Sequence, residues 1–242
     1  MNASSTSNDH LVRSYLSLRK SIGIIGIALP FVLALGGALL KQQVLQPSIS
    51  HYYHTIVGDI FVGSLCAIAV FLFSYCGHGR RDRIATNLAS LFAVGVALFP
   101  TARTEDAPAP ESMIGTIHFI FAALFFLTLA YISLRLFRLT DRVNPTPQKI
   151  ARNRVYATCG YVMLACIAMI AVVKLLFDDS WIMQIQPVFW LEAAAIVAFG
   201  VSWLTKGEAI LKDVVPKGEV AAAARTVPHI PEKAEMAAKM PA

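Results

Sequence analysis

Apolar positions along this chain fall in six long blocks separated by short polar stretches, without the alternation of a half-buried strand or the one-sided stripe of a surface helix. The blocks cover residues 21–40, 56–76, 84–100, 114–137, 155–177 and 185–204. Each has about the ~20 residues that a helix needs to cross a hydrocarbon core. Lipid offers backbone groups no hydrogen-bond partner, so runs of this kind are helical. Asn87 and Ser90 dilute the inner half of the third block and make it the weakest. The pattern predicts an all-α, polytopic transmembrane helix bundle of six spans. A cytoplasmic tail occupies residues 1–20, the membrane domain 21–207, and a disordered cytoplasmic tail 208–242. That last stretch is rich in Ala, Pro, Lys and Glu, with too few large apolar side chains to fold alone.

Composition agrees with this class. Hydrophobic residues make up 56% of the 242, charged residues only 15%, and the mean hydropathy is +0.60. The net charge of +6 would suit a nucleic-acid partner, but its placement points elsewhere. Eighteen of the 21 Lys and Arg lie in the N-terminal tail, the inner end of the fourth block, the loops after the second and fourth blocks, and the C-terminal region. Only Lys41, Arg103 and Lys174 fall on the other side. This asymmetry places both termini in the cytoplasm, and anionic headgroups account for the basic loops. No nucleic-acid partner is expected, whereas membrane lipids and a small ligand at the outer face are. The first block is too long for a signal-peptide core and no A-x-A site follows it, so it reads as a retained anchor. Cys66, Cys76, Cys159 and Cys166 lie within or at the ends of the blocks without a C-x-x-C pair and read as small buried hydrophobes. Gly23, Gly26, Gly36 and Gly37 favour close helix approach in the first block, and Pro30 is expected to kink it.

The candidate chemistry is in the outer half. His51, His54 and Asp59 fall at the outer mouth of the second span, His118 one turn inside the fourth, Lys174 one turn from the outer end of the fifth, and Glu192 about two turns into the sixth. Ionisable groups at this depth cost roughly 2.5–3.5 kcal/mol each on insertion scales, so they should face one another or water. A helix that starts by His51 would put His51, Thr55 and Asp59 on one face, above a small-residue strip of Gly63, Cys66 and Ala67. Plainer roles stand beside this pocket reading. Lys174 can snorkel or pair with Glu192, His54 with Tyr52 and Tyr53 can anchor the interface, and Asp59 with His118 can form a single hydrogen bond.

Three imidazoles and a carboxylate are ligand types for zinc, with Glu192 left to act on a water. Ser50-x-x-x-His54, with Asp59 or Asp82 as the acid, partly resembles the alkaline ceramidase-like membrane hydrolases. That likeness implies a metal-dependent lipid hydrolase or transferase, while the candidate zinc ligands of this chain, His51, His54, His118 and Asp59, make a different arrangement from the family's. The chain departs from the family pattern by lacking a His-x-x-x-His pair and by having six blocks in place of seven spans. Residues 48–55, 97–101 (ALFPT) and 199–207 (FGVSWLTKG) resemble signatures of an uncharacterised family of small bacterial multi-pass membrane proteins, which implies a bacterial inner or plasma membrane and no activity. A third class is a proton- or ion-coupled transporter using Asp59, Glu192 and Lys174. The apolar inner halves of the spans count against it, and no repeat relates the two halves of the chain.

Overall fold

The computed structural model describes residues 3–40, 45–77, 79–103, 108–140, 146–177 and 184–211, with side chains from Val12 onward. Six helices account for the architecture: α1 (Ala3–Leu39), α2 (Gly58–Phe73), α3 (Arg80–Leu98), α4 (Ala109–Tyr131), α5 (Pro147–Leu176) and α6 (Pro187–Lys206). No strand occurs among the described residues. Four stretches are long and apolar enough to cross a membrane: Val12–Leu39, Ala109–Leu136, Pro147–Leu176 and Pro187–Lys206. At 16 residues α2 is shorter, and α3 opens on Arg80, Arg81, Asp82 and Arg83 before it becomes apolar. Large apolar side chains stand exposed on every helix, among them Phe31, Phe73, Leu91, Ile120, Leu175 and Trp190. A water-soluble surface does not carry so continuous an apolar skin, so this is a membrane protein.

Each helix packs on the next, and α6 returns against α1 to close a ring. Glycine makes that closure. A Cβ on Gly23 would stand 2.8 Å from Gly200 O, and one on Gly26 would stand 3.0 Å from the Phe199 ring. The expected close approach of the first helix is therefore found, and its partner is α6. The helix continues unbroken through Pro30. It also starts far earlier than the apolar block, because nothing between Ala3 and Ser21 is Gly or Pro and an established helix propagates readily through polar residues. The tail expected at 1–20 is thus helical from Ala3.

The second block also differs from expectation. A 3-10 turn at Ser50–His54 is separated from α2, and Thr55 makes the break. Its hydroxyl donates to Tyr52 O at 2.7 Å and accepts Val57 N–H at 3.3 Å, while Gly58 N–H bonds Thr55 O at 2.9 Å. Gly58 sits against Tyr53 O, where no side chain fits. His51 and Asp59 therefore do not share a helical face. Asp59, Gly63 and Cys66 are exposed, and nothing lies within 4 Å of a Cβ added at Gly63, so the small-residue strip packs against no helix of this chain. Cys76 is exposed too; Cys159 and Cys166 are buried as expected, and all four thiols are free. The third helix spends its polar residues differently from one another: Ser90 is buried and donates to Ala69 O at 2.8 Å, while Asn87 is exposed. Beyond α4 a π-helical turn, Ile132–Leu136, aims Ser133 at Tyr156 O (2.9 Å) and Ser202 Oγ (2.8 Å), which ties α4 to α5 and α6. Residues 3–211 belong to one compact unit, and the expected disordered tail from 212 onward lies outside the described residues.

Candidate functional site

The connections α1–α2, α3–α4 and α5–α6 meet at one end of the ring, around a cavity of about 790 Å3. Pro47 and His51, then Thr101 and Arg103, and then Gln186 each bring one connection to its rim. The walls come from α4 and α5. On α4 the lining runs Ser112, Thr116, Phe119, Ala123 and Phe126, the three- and four-residue steps of one helix face. On α5 it runs from Lys174 back through Ala171 and Ile170 to Ile167. Both walls are therefore polar at the mouth and apolar at depth. Glu192, from α6, lines this cavity and also a smaller, largely apolar interior one of about 50 Å3.

The carboxylate of Glu192 is fixed from above. Its Oε2 accepts Ile49 N–H at 2.6 Å and Ser50 N–H at 3.3 Å, the two amides that open the 3-10 turn. A turn start has unsatisfied N–H groups, and a carboxylate is their strongest acceptor. The neighbouring Ser48 Oγ accepts His51 N–H at 3.2 Å and bonds His51 Nδ1 at 2.8 Å. Ser48 thus holds both the backbone and the ring of His51. Burial pushes this imidazole down to about 4, and the nearby His54, Lys174 and His118 push in the same direction.

That shift has a sign. A histidine held neutral in the fold and free to protonate when unfolded withdraws stability as the pH drops, starting below its ordinary value of 6.5 and continuing to about 4. Purified protein is expected to lose thermal stability across that window, and His51→Gln should flatten the loss. An equal slope in both proteins would show that His51 is not held neutral.

His54 and His118 lie behind the rim. His54 Nε2–H donates to Thr101 O at 2.7 Å, and His118 Nδ1–H donates to Phe99 O at 2.6 Å. His118 is wholly buried, and its Nε2 has no partner. The two rings thus hold the end of α3, the ALFPT segment, against the 3-10 turn and α4. Asp59 is the residue that does not join: it is exposed on α2 and lines no part of the cavity. Among the described residues no three His, Cys, Asp or Glu side chains gather to hold a metal ion. The candidate zinc ligands His51, His54, His118 and Asp59 are not brought together: the rings of His54 and His118 serve backbone carbonyls and Asp59 is exposed. Nor do Ser50 and His54 pair, because His54 reaches α3 and the Ser50 amide reaches Glu192.

Of the six residues expected together, His51, Lys174 and Glu192 line the cavity, His54 and His118 brace it, and Asp59 is elsewhere. Reading for ionisable groups missed Ser48, Thr101, Ser112, Thr116 and Gln186, because neutral polar residues carry no burial penalty large enough to mark them. The signal present was the segment 97–101, whose carbonyls at Phe99 and Thr101 receive both bracing histidines. No family model matches the chain, and neither does any curated protein or solved structure, so the reading of this site rests on its own chemistry.

Proposed function

We propose that this is a multi-pass membrane protein of six spans, with both termini cytoplasmic, whose outer-face cavity binds a membrane amphiphile. The observation that carries the reading is the polarity gradient along the cavity wall. A lipid presents a polar headgroup above an apolar chain, and the walls of α4 and α5 present Ser112, Thr116 and Lys174 above Phe119, Phe126, Ile167 and Ile170. The volume supports it as well, since about 790 Å3 lies within the range of small-molecule sites and well above the space of a few trapped waters. His51, Thr116 and Lys174 offer hydrogen-bonding groups to a headgroup, while Glu192 offers an acceptor. The alternating helices support six crossings once α2 and α3 are counted, and the basic residues at the opposite end favour a cytoplasmic location for that end.

Filling the groove tests the reading. Ala123→Trp places an indole between the two walls, where Ala123 lines the cavity. Native mass spectrometry of wild type extracted in mild detergent is expected to show a retained lipid, and the Trp variant should lose at least about tenfold of that occupancy while unfolding at a similar temperature. Equal lipid retention in the two proteins would remove the cavity as the binding place. Fusion reporters that place the N-terminus or the turn at Arg80 outside the cell would reverse the assigned sidedness.

A further inference from the structure

A groove of about 350 Å3 opens on the outer surface of the bundle between the start of α3 and the end of α4, at the end opposite the cavity. On α3 it is lined by Arg81, Ala85 and Leu88, and on α4 by Leu124, Thr128 and Tyr131. Steps of four and three residues keep each set on one helix face. The two helices pack side by side and run in opposite directions, so the Arg81 end of one face meets the Tyr131 end of the other. From Arg81 to Leu88 the rise is about 10 Å at 1.5 Å per residue. Half of a ~30 Å hydrocarbon core is roughly 15 Å, so the groove runs through most of one leaflet. Ala85 is buried and hollows the floor, while Leu88, Leu124 and Tyr131 stand exposed at the sides. Thr128 spends its hydroxyl on Leu124 O at 2.7 Å. Past its mouth the lining is therefore apolar surface with one satisfied hydroxyl.

Any groove facing lipid takes an acyl chain; what selects among lipids here is the cation at the mouth. Arg81 is exposed and lines the groove, and Arg80 beside it is exposed as well. Asp82 is buried on the side of Gly77, and among the described residues no acid lines the groove. A guanidinium grips a phosphate through two parallel hydrogen bonds, and basic pockets between membrane helices suit anionic headgroups. A zwitterionic headgroup would bring its own cation against Arg80 and Arg81. We propose that the α3–α4 groove seats an anionic phospholipid, with one acyl chain along Ala85, Leu88, Leu124 and Thr128 and the phosphodiester held by Arg81 beside the Tyr131 phenol. The groove shares no lining residue with the cavity at the other end, so the two sites stand or fall separately.

Full-length protein in neutral detergent is offered phosphatidylglycerol and phosphatidylcholine with the same chains, and bound lipid is counted by native mass spectrometry. Wild type should retain phosphatidylglycerol at least about tenfold over phosphatidylcholine. Ala123→Trp, which fills the other cavity, should leave that preference in place. Arg81→Gln should erase it, whereas Arg138→Gln removes an equal charge from an exposed position outside the groove and should keep it. Thr128→Phe puts a ring between the walls with every charge intact, and it should lose phosphatidylglycerol as Arg81→Gln does. A wild type that holds the two lipids alike overturns the proposal without any variant having to fold. Equal losses in the Arg81 and Arg138 variants would reduce the preference to diffuse attraction and overturn it too, as would a Thr128→Phe protein that binds as wild type. A preference abolished by Ala123→Trp would place the anionic lipid in the other cavity and leave this groove without one.

Discussion

Leucine at Gly200 is expected to take the bundle apart. A Cβ there would stand 2.6 Å from Ile27 Cγ1, 2.7 Å from Gly23 O and 2.9 Å from Ile27 N. One of these neighbours can rotate away, but the other two are backbone and can move only with the whole of α1. The reciprocal position is as tight, since a Cβ on Gly23 would stand 2.8 Å from both Gly200 O and Leu204 N. Between membrane helices the lipid is as apolar as the side chains, so association depends on close packing itself. Parting α1 from α6 therefore forfeits the seam along its length, including Gly26 against Phe199. Overpacking costs about 1–3 kcal/mol where side chains can yield; with backbone in the way, the loss here should reach or exceed the top of that range. Thermal unfolding in mild detergent should show a sharply lower midpoint, or material that no longer elutes as a single species. Gly63→Leu is the matched control, because nothing lies within 4 Å of its added Cβ, and it should unfold as wild type does. Indistinguishable midpoints for the Gly200 and Gly63 variants would mean that α1 and α6 do not cross at these glycines.

The contrast between Gly200 and Gly63 also shows what a sequence can and cannot disclose here. Apolar runs fix helices because lipid leaves the backbone no other solution, so all six helices fell near their blocks. Which face of a helix meets a neighbour is not encoded in that way. In lipid the packed and the exposed faces are both apolar, and the stripe that orients a soluble helix is missing. Gly23 and Gly63 look alike along the chain, yet one lies in the close seam between α1 and α6 and the other is exposed. Asp59 failed for a related reason. Its depth was readable by counting residues, but its direction depended on the break at Thr55 and Gly58, a few local hydrogen bonds that rotate α2 relative to the preceding turn. Glu192 and Lys174 line one cavity, and their depth was readable because position along a straight helix sets it. The cavity that they share was invisible, since its walls are ordinary Phe, Ile and Ala whose pairing across α4 and α5 exists only in the fold.

Glu192→Ala is expected to have the second large effect, and to show it away from the substituted residue. The carboxylate holds Ile49 N–H at 2.6 Å and Ser50 N–H at 3.3 Å across 143 and 142 residues of chain. Ile49 is 1% exposed and Ser50 8%, so water does not readily replace the acceptor. A buried donor left unsatisfied costs about 1–3 kcal/mol, and two are released at once. The 3-10 turn should therefore loosen first, carrying His51 off the rim of the cavity and His54 off Thr101. Hydrogen exchange should report early loss of protection at Ile49 and Ser50, with lipid occupancy of the cavity falling in step. Glu192→Gln keeps a carbonyl oxygen of similar reach but gives up the charge, which strengthens such bonds roughly twofold, so its effect should lie between wild type and Ala. That ordering separates the two things the carboxylate does. If it only anchors the turn, Gln restores exchange protection and lipid occupancy together; if it also receives the ligand's headgroup, Gln restores the turn while occupancy stays low. Unchanged protection at Ile49 in the Ala variant would show that the turn stands without α6, and the cavity would then need another explanation for its shape.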